Sequence, residues 1–229
     1  MTTATISLGF IALTIAAYSA GNWLYLRSGK LPVLQPVLIA TSVLVVALLS
    51  AGLPYSRYFE ATAPLHDLLG SAVVALAVPL YENVHKARGA LWRIAFATLL
   101  GGVTVTGSAL LLGRGFGLSP LMERALSTKS LTTPIALSVA GKIGGSVPLT
   151  ILGVFVTGLV GVTLTPFLLK TLRIDDPAVK GFTLGLTSHT FGITRALEFG
   201  SEAVAFATLG MVLMGCASAV LLPVIFRLL

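Results

Sequence analysis

Charged residues are scarce in this sequence. They make up 10% of the 229 residues, whereas hydrophobic residues make up 55%, and the mean hydropathy is +0.96. Soluble domains carry about 25% charged residues, so this chain could not cover itself with polar side chains in water. Several apolar runs approach or exceed the roughly 18–20 residues that a helix needs to cross a bilayer. The composition predicts an all-α polytopic membrane protein that forms a single integral membrane domain over residues 1–229.

Other features are also missing. The single cysteine, Cys216, cannot form an internal disulfide and indicates no metal site. The patterns HExxH, GxSxG and CxxC and the Walker lysine pattern do not occur. Ser188 and His189 are neighbours, which do not face each other on a helix, so they do not form a nucleophile and its base. We expect no enzyme activity, no cofactor and no bound metal.

The sequence is also poor in acidic residues, with 15 Lys and Arg against 8 Asp and Glu. In a chain this apolar, the excess of positive charge is typical of loops that fix the membrane topology, and we expect no nucleic-acid partner. No alternating segments of about ten residues indicate a β-barrel. The apolar runs instead predict six transmembrane helices: Ile6–Leu26, Val33–Leu53, Leu68–Leu80, Ile94–Leu112, Val147–Leu169 and Ala203–Phe226.

The basic residues predict an orientation. The loops after the first and third spans are the more basic, with Tyr81–Arg93 the densest, whereas the loops after the second and fourth carry Arg57, Arg114 and Arg124. Because positive loops stay in the cytoplasm, we expect these two basic loops inside and the N-terminus outside.

Residues 126–146 interrupt the apolar pattern. This stretch reads LSTKSLTTPIALSVAGKIGGS and carries two lysines, a Ser/Thr cluster, a proline and three glycines. Irregular polar backbone at membrane depth is tolerated only inside protein or beside a water-filled cavity. A second stretch of this kind, residues 181–200, reads GFTLGLTSHTFGITRALEFG. We expect the two stretches to face each other across a transport pathway.

The first stretch has the chemistry of an anion site. Pro134 favours a helix that begins there, with Thr133 or Thr132 as its cap. The free N–H groups of such an N-terminus attract anions. Lys129 and Ser130 lie just before, so Lys129 could meet a carboxylate directly. The alternative is a lysine that reaches the headgroups and a proline kink that serves only packing.

The second stretch places Ser188, His189 and Thr190 in a polar run. Gly192 could free the backbone, and Arg195 could hold a carboxylate through two hydrogen bonds. His189 could exchange a proton near neutral pH, as proton-coupled uptake requires. In the alternative interpretation, Arg195 pairs with Glu198 at the interface and His189 is merely hydrogen-bonded.

Two layouts fit this pair of stretches. If both turn back, they enter from opposite sides, like the inverted hairpins of some transporters, and residues 170–180 lie in the cytoplasm. If both cross, residues 170–180 lie outside. The loop's three basic residues favour turning back, and a weak similarity between the stretches suggests an inverted repeat.

Several segments resemble the LrgB/CidB family. They are PLY at Pro79–Tyr81, KSLTTPIAL at Lys129–Leu137, LTPFLLKTLRIDDPAVKG at Leu164–Gly181 and SHTFGITRALEFG at Ser188–Gly200. The similarity runs from about Gln35 to the C-terminus. Thr128, Leu131 and Thr194 depart from the family's usual residues, but none of them replaces a polar group named above.

The resemblance implies a multi-pass protein of the bacterial inner membrane, often encoded with a small LrgA-like membrane partner. It implies either antiholin-like control of murein hydrolases and lysis, or transport of small carboxylates such as pyruvate, glycolate or glycerate. Our first hypothesis is a secondary transporter of small monocarboxylates, proton-coupled through His189, and the second is a pore or antiholin-like regulator. The expected partners are a small carboxylate anion, the lipid bilayer, an LrgA-like protein and further copies of the chain.

Overall fold

A computed structural model of the protein describes residues 3–31 and 34–228. Within these ranges the regular structure is helical, in agreement with the all-α prediction. The start predicted for the second span, Val33, lies outside the described residues. The chain divides into two compact units, Met1–Ala75 and Leu76–Leu229.

Where the structure describes it, the first unit holds four α-helices: α1 (Thr3–Arg27), α2 (Pro36–Ser50), α3 (Tyr55–Ala61) and α4 (Ala63–Ala75). Helices α1 and α2 approach closely at Gly21, where an added Cβ would lie 2.9 Å from the Pro36 carbonyl oxygen. The Tyr58 hydroxyl lies 3.0 Å from Thr14 Oγ1 and ties α3 to α1.

The second unit holds eight α-helices among its described residues, and a short 3-10 helix at Leu197–Phe199. The α-helices are α5 (Ala77–Glu82), α6 (Val84–Gly89), α7 (Leu91–Gly115), α8 (Pro120–Ser127), α9 (Thr133–Ile143), α10 (Val147–Thr171), α11 (Pro177–Ala196) and α12 (Ser201–Leu228). Two connections predicted as loops are partly helical. Residues 81–93 contain α6, and residues 113–124 contain the start of α8.

Among the described residues, four helices are long and apolar enough to cross a membrane: Ile6–Arg27, Leu91–Gly115, Val147–Thr171 and Ser201–Leu228. The predicted count of six is not confirmed. Helix α2 has only 15 residues, short of the 20 or so that a span requires. The predicted third span, Leu68–Leu80, is divided between α4 and α5, which are separated at Leu76.

Glycines allow α11 to lie directly on α12. A Cβ added to Gly181 or Gly185 would overlap the backbone of Ala203 or Ala207, one turn apart on α12. Small residues at this spacing are typical of close helix packing in membranes. The contact fixes α11 against the long C-terminal helix.

Candidate functional site

Helices α8 and α9 form a hairpin, named here the first hairpin, with its turn at Thr128–Thr132. The chain returns to α8 after the turn, since an added Cβ on Gly145 would lie 3.0 Å from the Ala125 nitrogen near the C-terminal end of α8. Thr132 caps α9 with an extended backbone, and Pro134 lies in the first turn. The predicted helix start is therefore confirmed, although the Thr132 side chain makes no capping hydrogen bond.

Helix α11 is also a hairpin, named here the second hairpin, because its chain reverses at His189. The His189 backbone has φ 44° and ψ −127°, outside the helical region. Lys180 Nζ lies 5.4 Å from the centre of the Phe199 ring, whereas a continuous helix would hold these residues roughly 28 Å apart. The second stretch therefore turns back on itself rather than continuing in one direction.

The break does not fall at Gly192, as the sequence suggested. Gly192 instead allows the returning arm to pack on the first arm, because a Cβ there would overlap the Leu184 carbonyl. The contact between the arms therefore requires a glycine at position 192, whereas the chain reversal occurs at His189, which has a side chain.

Both hairpin tips contact the same helix, α10. An added Cβ on Gly153 would lie 3.4 Å from the Lys129 Cβ of the first tip. His189 Nε2 of the second tip lies 3.1 Å from the Val154 carbonyl oxygen, and an added Cβ on Gly158 would lie 2.9 Å from the His189 ring. The two polar turns therefore meet α10 within about two helical turns of each other.

The hairpins reach these positions from opposite ends of α10. The first hairpin leads directly into the N-terminus of α10 through Gly144 and Gly145, and the second begins at Pro177, just after α10 ends at Thr171. Since α10 is one of the four candidate spans, the tips lie alongside the interior of that span. This arrangement agrees with the layout in which both stretches turn back.

The first tip presents one cation and several hydroxyls. Lys129 Nζ donates a hydrogen bond of 3.2 Å to the Val105 carbonyl oxygen of α7, which occupies one of the three donors of its ammonium group. Ser130 is buried, Thr132 is half-buried, and Thr133 and Pro134 are exposed. The first turn of α9, which begins four residues after Lys129, therefore has exposed side chains, as an anion site would require.

The second tip is mostly buried. Ser188 is fully buried with its Oγ 3.1 Å from Thr187 Oγ1, and His189 is 3% exposed. Thr190 is exposed, and its hydroxyl contacts the Met211 sulphur at 3.8 Å. Ser188 and His189 therefore hold the hairpin on α10, which leaves Thr190 as the accessible hydroxyl of this tip.

Apolar side chains join the two hairpins behind their polar turns. Leu131 of the first tip, Val154 of α10 and Leu186 of the second hairpin belong to one buried cluster, together with Met214 of α12. Val154 thus contributes its side chain to this cluster and its carbonyl oxygen to His189. The relative position of the tips is set by this apolar contact.

Arg195 lies away from the tips, at the base of the second hairpin. Its Nη1 lies 2.7 Å from Glu198 Oε1, which is the pairing that the alternative interpretation expected. The side chain is 10% exposed and lines a cavity of about 530 Å³ with Lys170, Arg173 and Lys180. The structure therefore separates Arg195 from Lys129. It places Arg195 with three cations, Lys170, Arg173 and Lys180, which the sequence analysis had used only to predict the membrane topology. Only the chain reversal brings these residues together.

An ion pair ties Lys86 of α6, which lies outside the candidate spans, to Glu202 in the first turn of α12. Lys86 Nζ donates to Glu202 Oε1, and this hydrogen bond raises the pKa of Lys86. A raised lysine pKa stabilises the fold below the ordinary value of 10.5, and this stabilisation is lost as the pH rises beyond it. The pair is therefore present at neutral pH.

Known proteins resemble this chain along almost its whole length. The LrgB-like family matches residues 14–228. The chain is 38% identical to YxaC of Bacillus subtilis over 93% of its own length and 92% of the relative's. It is 34% identical to the holin-like protein CidB of Staphylococcus aureus over 95% of each chain. No solved structure matches. The extent of these matches shows that the chain belongs to the LrgB-like family.

Proposed function

We propose that this LrgB-like protein is a secondary transporter of small 2-oxo or 2-hydroxy monocarboxylates such as pyruvate, glycolate or glycerate. A single observation supports the proposal. Two helical hairpins enter from opposite ends of α10, and their polar tips lie against the middle part of this helix. Broken helices of this kind form the substrate sites of several transporter folds, with half-helix N-termini directed at anionic groups.

In this proposal the first tip binds the carboxylate. The Lys129 ammonium supplies the charge, and the hydroxyls of Thr132 and Thr133 and the free N–H groups that follow Pro134 supply further donors. Ser130 supports the turn from its buried position. The carboxylate lies over the first turn of α9, where the helix dipole also favours negative charge.

The second tip closes the site from the other side. Thr190 supplies a hydroxyl, whereas Ser188, His189 and Gly192 keep the hairpin in place. Proton coupling uses His189, whose protonated ring would carry charge beside Val154. Arg195 acts at the base of this hairpin, where it attracts the anion before it reaches the tips.

The proposed setting is the bacterial cytoplasmic membrane, with the N-terminus outside. An LrgA-like membrane protein and further copies of the chain are the proposed protein partners. The orientation rests on the basic loops, and an inverted repeat that relates the two hairpins remains a prediction.

Uptake of labelled pyruvate and glycolate into proteoliposomes tests the proposal, with and without an imposed proton gradient. We expect saturable uptake, and we expect Lys129→Ala to raise the KM by about tenfold or more, since charged hydrogen bonds contribute about 1.5–3 kcal/mol. Lys142→Ala is the matched control, because Lys142 is an exposed lysine near the end of α9, away from the tip.

An absence of saturable uptake across a panel of small acids would refute transport. Equal loss in the Lys129 and Lys142 variants would instead refute the placement of the site at the first tip.

A second candidate, holin-like control of lysis, is favoured by the name of the CidB relatives. It predicts that Lys129→Ala leaves lysis unchanged. Substitution of the small residues of α10 would not distinguish transport from lysis control. Gly153 and Gly161 contact the hairpin tips within the same chain, so their loss would disturb the proposed substrate site as well as any contact with a partner. The sharper test measures lysis and uptake in cells that carry the same Lys129 variant.

A further inference from the structure

The cavity at the base of the second hairpin combines a cationic lining with apolar walls. Four basic side chains line it, Lys170, Arg173, Lys180 and Arg195, against one acidic side chain, Asp175. Its volume of about 530 Å³ lies within the range of small-molecule sites, roughly 300–1,000 Å³.

Two of the four cations have their charge engaged within the protein. Lys180 Nζ lies 3.2 Å from Asp175 Oδ1, and Arg195 pairs with Glu198. Within the part of the chain that the structure describes, Lys170 and Arg173 have no carboxylate within 4.0 Å, and both are exposed. These two cations are available to an external anion.

The apolar side of the cavity indicates the kind of anion. Pro166, Leu169 and Phe199 line it. It opens at the end of α10, which is a candidate membrane span, and the neighbouring Phe167 and Leu168 are 66% and 53% exposed. Exposed apolar side chains beside a cluster of cations fit a molecule with an anionic head and an apolar body.

We propose that this cavity binds the phosphate headgroup of an anionic phospholipid, with Lys170 and Arg173 as its principal contacts. Basic pockets between membrane helices commonly bind such headgroups. The acyl chains would lie along the exposed apolar face of α10. The site is separate from the tips, and its principal contacts, Lys170 and Arg173, have no part in the proposed transport, although Arg195 lines the same cavity.

Lipid binding to the purified full-length protein in neutral detergent tests this proposal. The probes are phosphatidylglycerol, phosphatidylcholine of the same acyl chains, and inorganic phosphate. We expect phosphatidylglycerol to bind more tightly than phosphatidylcholine, and the double variant Lys170→Gln/Arg173→Gln to weaken its binding about fivefold for each cation removed.

The matched control is Lys142→Gln/Arg227→Gln, which removes two cations from a different cavity. It should bind phosphatidylglycerol like the unmodified protein. Equal affinity for both lipids, an equal loss in the control, or unchanged binding in the Lys170/Arg173 variant would overturn the proposal.

If millimolar phosphate or glycolate displaced phosphatidylglycerol, the cavity would be a site for free anions, and the lipid proposal would be wrong. Lys170→Arg, which keeps the charge, should retain binding and guards against a loss caused by misfolding. Because no uptake is measured, failure of the transport hypothesis would leave this result intact.

Discussion

At the scale of single residues, glycines and one histidine define the second hairpin. Gly192 lets the two arms meet, Gly158 accommodates the His189 ring, and Gly161 faces Ser188. His189 adopts a positive φ that L-residues rarely adopt. The hairpin therefore requires glycines where its arms meet each other and α10, and it requires an unfavourable backbone conformation at His189.

Gly192→Ala should destabilise the protein, because the added methyl group would overlap the Leu184 carbonyl. Overpacking of this kind costs about 1–3 kcal/mol, and a backbone obstacle places the cost near the upper end. The free energy of unfolding in mixed micelles measures it. Gly141→Ala is the control, since its added Cβ would meet nothing within 4 Å beyond the neighbouring residues and backbone of its own helix, and it should be neutral or slightly stabilising. Equal effects would contradict the packing described here.

His189→Gly should be more stable than His189→Ala by about 1–3 kcal/mol. Both variants lose the contact with the Val154 carbonyl oxygen, but only glycine adopts φ 44° and ψ −127° without steric cost. Comparison of the two unfolding free energies isolates the backbone contribution. An alanine variant as stable as the glycine variant would argue against the reversal at this residue.

At the scale of elements, α10 is the helix that both hairpins share. Its small residues pack against the tips: Gly153 contacts Lys129, Gly158 contacts His189 and Gly161 contacts Ser188. One helix thereby fixes the depth of both polar turns.

The two hairpins should have their bases on opposite sides of the membrane. In a variant whose native Cys216 is replaced by serine, single cysteines at Asp175 and Leu197, on either side of the second hairpin, should react with an impermeant maleimide from the same side. A cysteine at Phe116, before the first hairpin, should react only from the other side. These positions have exposed side chains.

Accessibility of positions 175 and 197 from opposite sides would mean that the second stretch crosses the membrane. Accessibility of position 116 from the same side as 175 would place both hairpins at one surface. Either result would contradict the arrangement around α10.

At the scale of the whole molecule, the distribution of charge predicts the orientation. The basic residues from Lys86 to Arg93 lie before α7 and in its first turn, and those of the cavity begin in the last turn of α10 and continue beyond it. With α7 and α10 both spanning, and the first hairpin returning to the side where it entered, these two basic regions lie on the same side. The positive-inside rule makes that side the cytoplasm.

A reporter fused after Leu229 should therefore be active only outside the cytoplasm. Starting from the cytoplasmic end of α12, one crossing places the C-terminus outside. Fusions of alkaline phosphatase and of green fluorescent protein measure this, since the first is active only in the periplasm and the second fluoresces when it folds in the cytoplasm. Fluorescence with no phosphatase activity would reverse the assigned orientation.

The sequence by itself determined the class of protein, the long spans, the helix start at Pro134 and the two irregular stretches, because these depend on local composition and backbone chemistry. It indicated that residues 181–200 are irregular, but it named Gly192 as the residue that frees the backbone, since local propensity favours glycine over histidine at an irregular position. Only the tertiary structure decided that His189 carries the reversal, because its ring is held between Gly158 and the Val154 carbonyl. It also decided that Arg195 joins Lys170 and Arg173 rather than Lys129. That grouping follows from the path of the folded chain, which no local pattern encodes.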